Sequence, residues 1–313
     1  MRALGPHFDQ PINPTGYAWW YLDALSDDGR HGLTIIAMLG SVFSPYYAGA
    51  RRRGDPDPLD HCGLNVALYG RGGKRWSLTE RGRNALERGS SHLRIGPSAL
   101  HWDGSALTVE INEVTVPIPS RLRGRVRLHP AGLTNYQAPL DAGICHRWSP
   151  IAPCARVEVE MSRPGLRWSG PGYFDSNCGD EPLEAAFTGW DWSRATRRGG
   201  TSVLYHVDAR RGGAGLAVHF EPDGSAIELE PPSPAGLPRT PIWRVARGTH
   251  GDPGLEASVV KTLEDTPFYS RSLVASSLQG DKVTAVHESL SLERFRKRWV
   301  QMLLPFRMPR RGY

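Results

Sequence analysis

Two short segments place residue types that move protons beside residue types that tolerate positive charge. One is Cys145-His146-Arg147-Trp148. The other is Gly170-Pro171-Gly172-Tyr173-Phe174-Asp175-Ser176-Asn177-Cys178-Gly179. In an extended chain, residues two apart point to the same face. His146 and Trp148 then share a face, and so do Tyr173, Asp175 and Asn177. If both faces line one interior, a carboxylic acid, an imidazole and two aromatic rings converge. Each residue also has a plainer reading. Asp175 fits a turn aspartate beside Gly and Asn, Trp148 fits the core, and His146 fits a satisfied buried histidine.

A third segment, Trp190-Asp191-Trp192-Ser193-Arg194, puts both Trp on one face. Asp191 and Arg194 are candidates for a structural ion pair. The run Tyr17-Ala18-Trp19-Trp20-Tyr21 is similarly aromatic, and the chain holds 10 Trp. Such residues serve packing, or they line a long apolar tunnel. On the second reading Asn177, Trp190, Trp192, Trp19 and Trp20 contact substrate.

Other chemistries find no support. Gly70-Arg71-Gly72-Gly73-Lys74 lacks the spacing of a phosphate loop and reads as a hairpin turn. The 11 His lack metal-ligand spacing. No G-x-S-x-G elbow occurs. Cys62, Cys145, Cys154 and Cys178 form no C-x-x-C pair, so neither a zinc ribbon nor a disulfide framework is expected. The expectation is no cofactor and no metal.

The elements that position these residues read as strands. Residues 106–114 alternate, with Leu107, Val109 and Ile111 on one face and Thr108, Glu110 and Asn112 on the other. Similar runs occur at 32–40, 63–69, 155–160, 200–207, 214–220, 225–230, 256–262 and 280–290. Asp28-Gly29, Asp103-Gly104 and Asp223-Gly224 are hairpin turn candidates. Helical periodicity is nearly absent before residue 290. The fold class is therefore all-β with antiparallel strands. Asp103-Gly-Ser-Ala-Leu107 is echoed by Asp223-Gly-Ser-Ala-Ile227, as two tandem β units would leave behind. With 313 residues, the chain accommodates domains at 1–135 and 136–290, the second carrying the H-x-W and Y-x-D segments.

From Leu290 the period changes. Leu292, Phe295, Trp299, Met302, Leu303 and Phe306 step by three or four, with Arg294, Arg296, Lys297 and Arg298 between them. This predicts a basic amphipathic helix over 291–313, ended by Pro305 and Pro309. It either packs on the β units or lies on an anionic membrane surface. The formal net charge is +6. Residues 290–313 carry seven of the basic residues and one acidic residue, so the rest of the chain is neutral. That balance argues against a broad nucleic-acid-binding face. No apolar run reaches the roughly 18–20 residues that span a bilayer. The N-terminus lacks a secretory apolar region, so cytoplasmic synthesis without export is expected.

Taken together, these segments resemble the carotenoid 1,2-hydratases, or hydroxyneurosporene synthases, of phototrophic bacteria. The resemblance is carried by Gly16–Leu33, by Gly40-Ser-Val-Phe-Ser-Pro-Tyr-Tyr47 and by His146-x-Trp148-x-Pro150-Ile-Ala-Pro153. It is most specific from Gly172-Tyr-Phe-Asp-Ser-Asn177 through Pro182-Leu-Glu184 to Trp190-Asp-Trp-Ser-Arg194. It implies two tandem lipocalin-like antiparallel β-barrel or sandwich domains. It also implies cofactor-independent addition of water to the terminal 1,2 double bond of acyclic carotenes such as neurosporene and lycopene. The residues implied as catalytic are His146, Trp148, Tyr173 and Asp175. An apolar substrate gives the basic tail a reason to make peripheral membrane contact.

These residue types suit such a reaction. An isolated alkene is a very weak base, so a proper acid must be held against it. A buried carboxyl such as Asp175 resists ionisation. Protonation at C2 leaves a tertiary cation at C1, which the faces of Trp148 and Tyr173 attract. His146 either handles the incoming water or sets the protonation of Asp175. Two other readings stand beside this one: a non-catalytic carotenoid or lipid carrier, and an acid-triggered cyclase or pericyclase on another polyene.

Overall fold

A computed structural model describes residues 4–70 and 73–311. The first strands are β1 (Tyr17–Leu25), β2 (His31–Leu39), β3 (Cys62–Gly70) and β4 (Arg75–Arg81). Then come β5 (Leu86–Arg88), β6 (His92–Ile95), β7 (Ser98–Trp102), β8 (Leu107–Val114) and β9 (Arg121–Pro130). A short β10 (Ala138–Pro139) precedes two long strands, β11 (His146–Arg163) and β12 (Leu166–Gly179). The later strands are β13 (Phe187–Arg197), β14 (Gly200–Ala209), β15 (Ala214–Phe220), β16 (Ala226–Leu229), β17 (Ser233–Leu237) and β18 (Arg247–Gly251). They continue with β19 (Ser258–Asp265), β20 (Tyr269–Leu278), β21 (Asp281–Ser291) and β22 (Arg310–Arg311). Helices are few and short: α1 (Pro45–Arg53), α2 (Leu183–Ala186), α3 (Leu292–Phe295) and α4 (Arg298–Arg307). The all-β expectation is met, and every alternating run named above coincides with a strand.

The Asp-Gly turns join β1 to β2, β7 to β8 and β15 to β16. In two of them the aspartate closes the loop by the same contact. Asp103 accepts from the backbone N–H of Ser105, and Asp223 from that of Ser225, both at 2.8 Å. The Gly70–Lys74 turn includes residues 71 and 72, which lie outside the described residues.

Two compact units are present, but they are not sequential. The first comprises the chain up to Ala138, Cys145–Pro182 and the chain from Leu303. The second comprises Pro139–Ile144 and Leu183–Met302. The boundary therefore differs from the 135/136 division expected from sequence. The reason is hydrogen bonding: β12 pairs with β1, and β11 pairs with β9. This ties both chemistry-bearing segments into the first unit's sheet, whose order is β22-β4-β3-β2-β1-β12-β11-β9-β8-β7-β6-β5. Its core includes Trp20, Leu22, Ile35, Leu64, Val66, Val109, Ile111, Val126, Val157 and Phe174. The second unit's main sheet runs β16-β15-β14-β13-β21-β20-β19, with β17 and β18 forming a separate hairpin.

Helix α1 is absent from the sequence expectation. Its signals are caps rather than a stripe. Ser44 accepts from the N–H groups of Tyr46 and Tyr47, Pro45 starts the helix, and Gly54 ends it at φ 78°.

The C-terminal segment departs from a single amphipathic helix. Leu292 and Phe295 belong to α3 and are buried. Val300, Leu304 and Met308 are also buried, whereas Trp299, Met302, Leu303 and Phe306 are exposed. Two opposed apolar stripes thus replace one. Pro305 lies inside α4 rather than ending it, since its missing N–H removes only one bond in the last turn. Beyond the helix, β22 pairs in parallel with β4. Arg310 donates to Glu80 at 2.6 Å and to Asp60 at 2.7 Å, and Glu80 is fully buried.

Candidate active site

The site is built on three adjacent strands, β1, β12 and β11. Opposite residues in an antiparallel pair share a face. Asn177 stands opposite both Trp19 and Trp148, Asp175 opposite Tyr21 and Pro150, and Tyr173 opposite Asp23. Gly179 stands opposite Tyr17 and His146. One face therefore carries Tyr17, Trp19, Tyr21 and Asp23 beside Tyr173, Asp175 and Asn177, with His146 and Trp148 beyond. The intervening residues Trp20, Leu22 and Phe174 enter the core.

On that face Asp175 is held by two donors on one oxygen. The Tyr173 hydroxyl donates to Oδ2 at 2.7 Å, and the Trp148 indole Nε1–H donates to the same oxygen at 2.8 Å. Trp148 Nε1 also lies 3.2 Å from the Tyr173 hydroxyl. Trp148 and Tyr173 are 0% exposed and Asp175 3%, so no bulk water competes for these contacts. The Tyr136 ring meets Trp148 edge-on at 5.9 Å. Burial pushes the Tyr173 hydroxyl well above its usual range, and the Asp175 carboxylate adds to this by charge and hydrogen bond. The Trp148 indole opposes it weakly, and the charge of Asp23 raises it slightly more. Tyr173 therefore stays a donor.

His146 is fully buried. Its Nδ1 lies 2.9 Å from the Tyr17 hydroxyl, and its Nε2 lies 3.7 Å from the half-exposed carboxylate of Glu181. Gly179 makes room for this pair. A Cβ there would approach His146 Nδ1 and the Tyr17 ring to 2.5 Å each. Tyr17 also stacks on Trp19 at 4.8 Å. Trp19 continues the face into an apolar strip where Ile36, Phe43 and Trp76 pack against Met38, Leu78 and Met308.

The structure thus brings together His146, Trp148, Tyr173, Asp175, Asn177 and Trp19. Trp20 is a correction. It points to the opposite face, packs on Phe8 and donates its Nε1–H to the Pro6 carbonyl at 2.7 Å. Adjacent residues in a strand cannot both face the site. Trp190 and Trp192 lie on β13 of the second unit, buried, with Trp190 against Phe187 and Tyr205.

Asp191 does not pair with Arg194, because a separation of three puts them on opposite faces of β13. Asp191 instead accepts from the Ser289 hydroxyl and from the Gly248 N–H at 3.2 Å. His287 Nε2 lies 2.6 Å from the Gly248 carbonyl. Sequence reasoning missed Tyr17, Asp23 and Tyr136. The two-residue alternation of Tyr17, Trp19, Tyr21 and Asp23 was the available signal for the first two.

Comparison with known proteins places these observations in context. The family described as carotenoid hydratase CrtC matches residues 35–313. The acyclic carotenoid 1,2-hydratase of Thiocapsa roseopersicina is 62% identical over 311 residues, covering 99% of this chain and 77% of that protein. The acyclic carotenoid 1,2-hydratase of Rubrivivax gelatinosus is 54% identical, covering 98% and 76%. Among solved structures, an AttH from Nitrosomonas europaea superimposes with a TM-score of 0.65 at 14% identity, covering 93% of this chain and 97% of that one.

Proposed function

The chain belongs to the carotenoid hydratase CrtC family, and from that membership we propose a specific course for its chemistry, with Asp175 as the acid. The enzyme is a hydro-lyase that adds water to acyclic carotenoids. The bond attacked is the terminal 1,2 double bond, and the product is a 1-hydroxy carotenoid. The observation that carries the assignment is the buried contact of Tyr173 and Trp148 with a single oxygen of Asp175.

Asp175 carries the transferable proton. Its delivery to C2 leaves the charge on C1, where two alkyl substituents and the polyene-bearing chain stabilise it. The resulting carboxylate keeps its two hydrogen bonds, so its charge is met as it forms. The rings of Trp148 and Tyr173 attract the cation, an interaction worth about 2 kcal/mol at a desolvated site. His146, fixed by Tyr17, orients the water that attacks C1. The apolar strip around Trp19, Met38 and Leu78 suits a long hydrocarbon. Dryness matters, because bulk water would ionise the acid and capture the cation indiscriminately.

The test is incubation of the purified enzyme with detergent-dispersed lycopene, followed by product mass. The expected product is heavier by one water, and Asp175→Asn is expected to form none. Unchanged pigment recovered bound to the wild-type protein would mark a carrier. An isomer of unchanged mass would mark a cyclase.

We also propose that α4 touches a membrane surface that supplies the substrate. Trp299, Met302, Leu303 and Phe306 fall at i, i+3, i+4 and i+7, and all are exposed. Arg296, Lys297 and Arg298 beside them are exposed too. Among the described residues, no helix is long and apolar enough to cross a membrane, so contact would be from one side. Flotation with phosphatidylglycerol vesicles tests this. The triple variant Trp299→Ser, Met302→Ser, Phe306→Ser should lose binding while keeping its melting temperature. Retained binding would refute the proposal.

A further inference from the structure

The Tyr-x-Asp pattern of β12 occurs a second time, on the strand hydrogen-bonded to it. Tyr21-Leu22-Asp23 of β1 runs antiparallel to Tyr173-Phe174-Asp175. The register sets Tyr21 opposite Asp175 and Asp23 opposite Tyr173. All four side chains share one face, and all are at most 5% exposed. Each tyrosine donates to the aspartate two residues ahead of it: Tyr21 to Asp23 Oδ2 at 2.9 Å, and Tyr173 to Asp175 Oδ2 at 2.7 Å. The tyrosine rings meet edge to face at 6.3 Å. The result is a local two-fold arrangement of two acids and two phenols.

Such an arrangement is expensive for mere packing, because a buried carboxyl loses its hydration. It has a chemical use. Two carboxyls on one buried face can divide the work of giving and taking a proton. Diagonal positions on paired strands lie about 7–8 Å apart. That is a spacing of strand positions, from which two side chains on one face can reach a water held between them, as the acid and base of inverting glycosidases do. Hydration of an alkene needs both groups, one to give a proton and one to take one.

We propose that Asp23 is a further catalytic residue, the general base of the hydration. This rests on the hydratase reading above. Asp175 gives its proton to C2, and the C1=C2 π bond breaks as the C2–H bond forms. Water attacks C1, the C1–O bond forms, and the Asp23 carboxylate takes the proton released from that water. Overall, H and OH are added and one proton has moved from Asp175 to Asp23. The Tyr21 and Tyr173 hydroxyls, each bonded to one acid and set opposite the other, return it. His146 then orients the water rather than deprotonating it.

The experiment follows both half-reactions in D2O with lycopene. Wild-type enzyme should yield hydrated product carrying deuterium at C2. In Asp23→Asn, hydration should fall about a hundredfold, the usual size of a lost general base. Protonation should continue, so that unhydrated lycopene is recovered with deuterium exchanged into C2. Asp175→Asn should show neither hydration nor exchange.

Hydration by Asp23→Asn within about threefold of wild type would overturn the proposal, and so would equal loss of hydration and exchange, which is the signature of a structural role. If Asp23→Asn does not fold, Tyr21→Phe carries the same test. It should slow hydration about tenfold while exchange persists, as expected for loss of one hydrogen bond to a charged group. Parallel loss, or no loss, overturns the proposal. Wild-type enzyme that forms no hydrated product would refute the hydratase reading itself.

Discussion

Each unit of the molecule sets an aspartate among tryptophans, buried in the first unit and half-buried in the second, yet the two aspartates are held by different kinds of partner. In the first unit, Asp175 is met by a phenol from its own strand and an indole from the neighbouring one. In the second, Asp191 is met by the backbone N–H of Gly248 and the hydroxyl of Ser289. Its neighbour His287 is engaged by the Gly248 carbonyl. Asp191 and His287 thus pin the β17–β18 hairpin to the sheet, and a Cβ at Gly248 would come within 3.1 Å of the Asp191 carboxylate. The contrast teaches that an acid beside an imidazole, as Asp191 stands to His287, is not itself a site. What its hydrogen bonds hold decides whether it can change protonation during turnover.

The comparison can be broken at several points. Asp175→Asn should abolish detectable hydration, a loss of about a thousandfold or more and so in the upper part of the range for general acid catalysis, with the melting temperature unchanged. Comparable activity would remove the first unit's claim to the chemistry. Trp148→Phe keeps a ring but removes the Nε1–H donor. Initial rates should fall about tenfold, roughly the 1.4 kcal/mol expected for a hydrogen bond to a charged group.

Asp191→Ala should do the reverse. Hydration should stay within about twofold, while urea unfolding should show a loss of about 1–3 kcal/mol as the Gly248 and Ser289 donors are orphaned. A large fall in hydration without loss of stability would make Asp191 a second reacting group.

The smallest effect is a pH slope. Burial holds His287 below its ordinary 6.5, although Asp191 and Gly248 pull it upward. The unfolded chain then binds the proton better, so stability falls as pH drops below about 6.5. Asp191, raised above its ordinary 3.8 mainly by burial, contributes the opposite sign. Its share is lost as pH rises from 3.8 through that raised value. His287→Gln should keep the contact with Gly248 and flatten the acid-side decline in melting temperature. An unaltered decline would place the sensitivity elsewhere.

Much of this was legible in the sequence because β structure writes itself locally. Alternation found the strands, and Asp-Gly pairs found the turns. The two-apart rule put Tyr173 with Asp175 and His146 with Trp148 before any contact was known. It could not supply pairing. Tyr17 and His146 are 129 residues apart, and no local pattern says that β1 lies beside β12. Asp23 was overlooked for the same reason, since its relation to Asp175 exists only in the register. Helix α1 escaped because caps, not an apolar stripe, define it. The C-terminal helix was read as one stripe because periodicity reports which residues align, not how many sides of a helix are used.

The contact between Arg310 and Glu80 bears on how this enzyme is made. Its partners are 230 residues apart, so a ribosome releases β1–β4 long before their closing residue. Until then Glu80 lacks the guanidinium that neutralises it in the finished sheet. The unit that holds β1–β4 is consequently completed only after the second unit's residues have been made. Its acid-bearing face shares a sheet with that closure, so the sheet that carries the site is complete only once Arg310 and Arg311 have joined it.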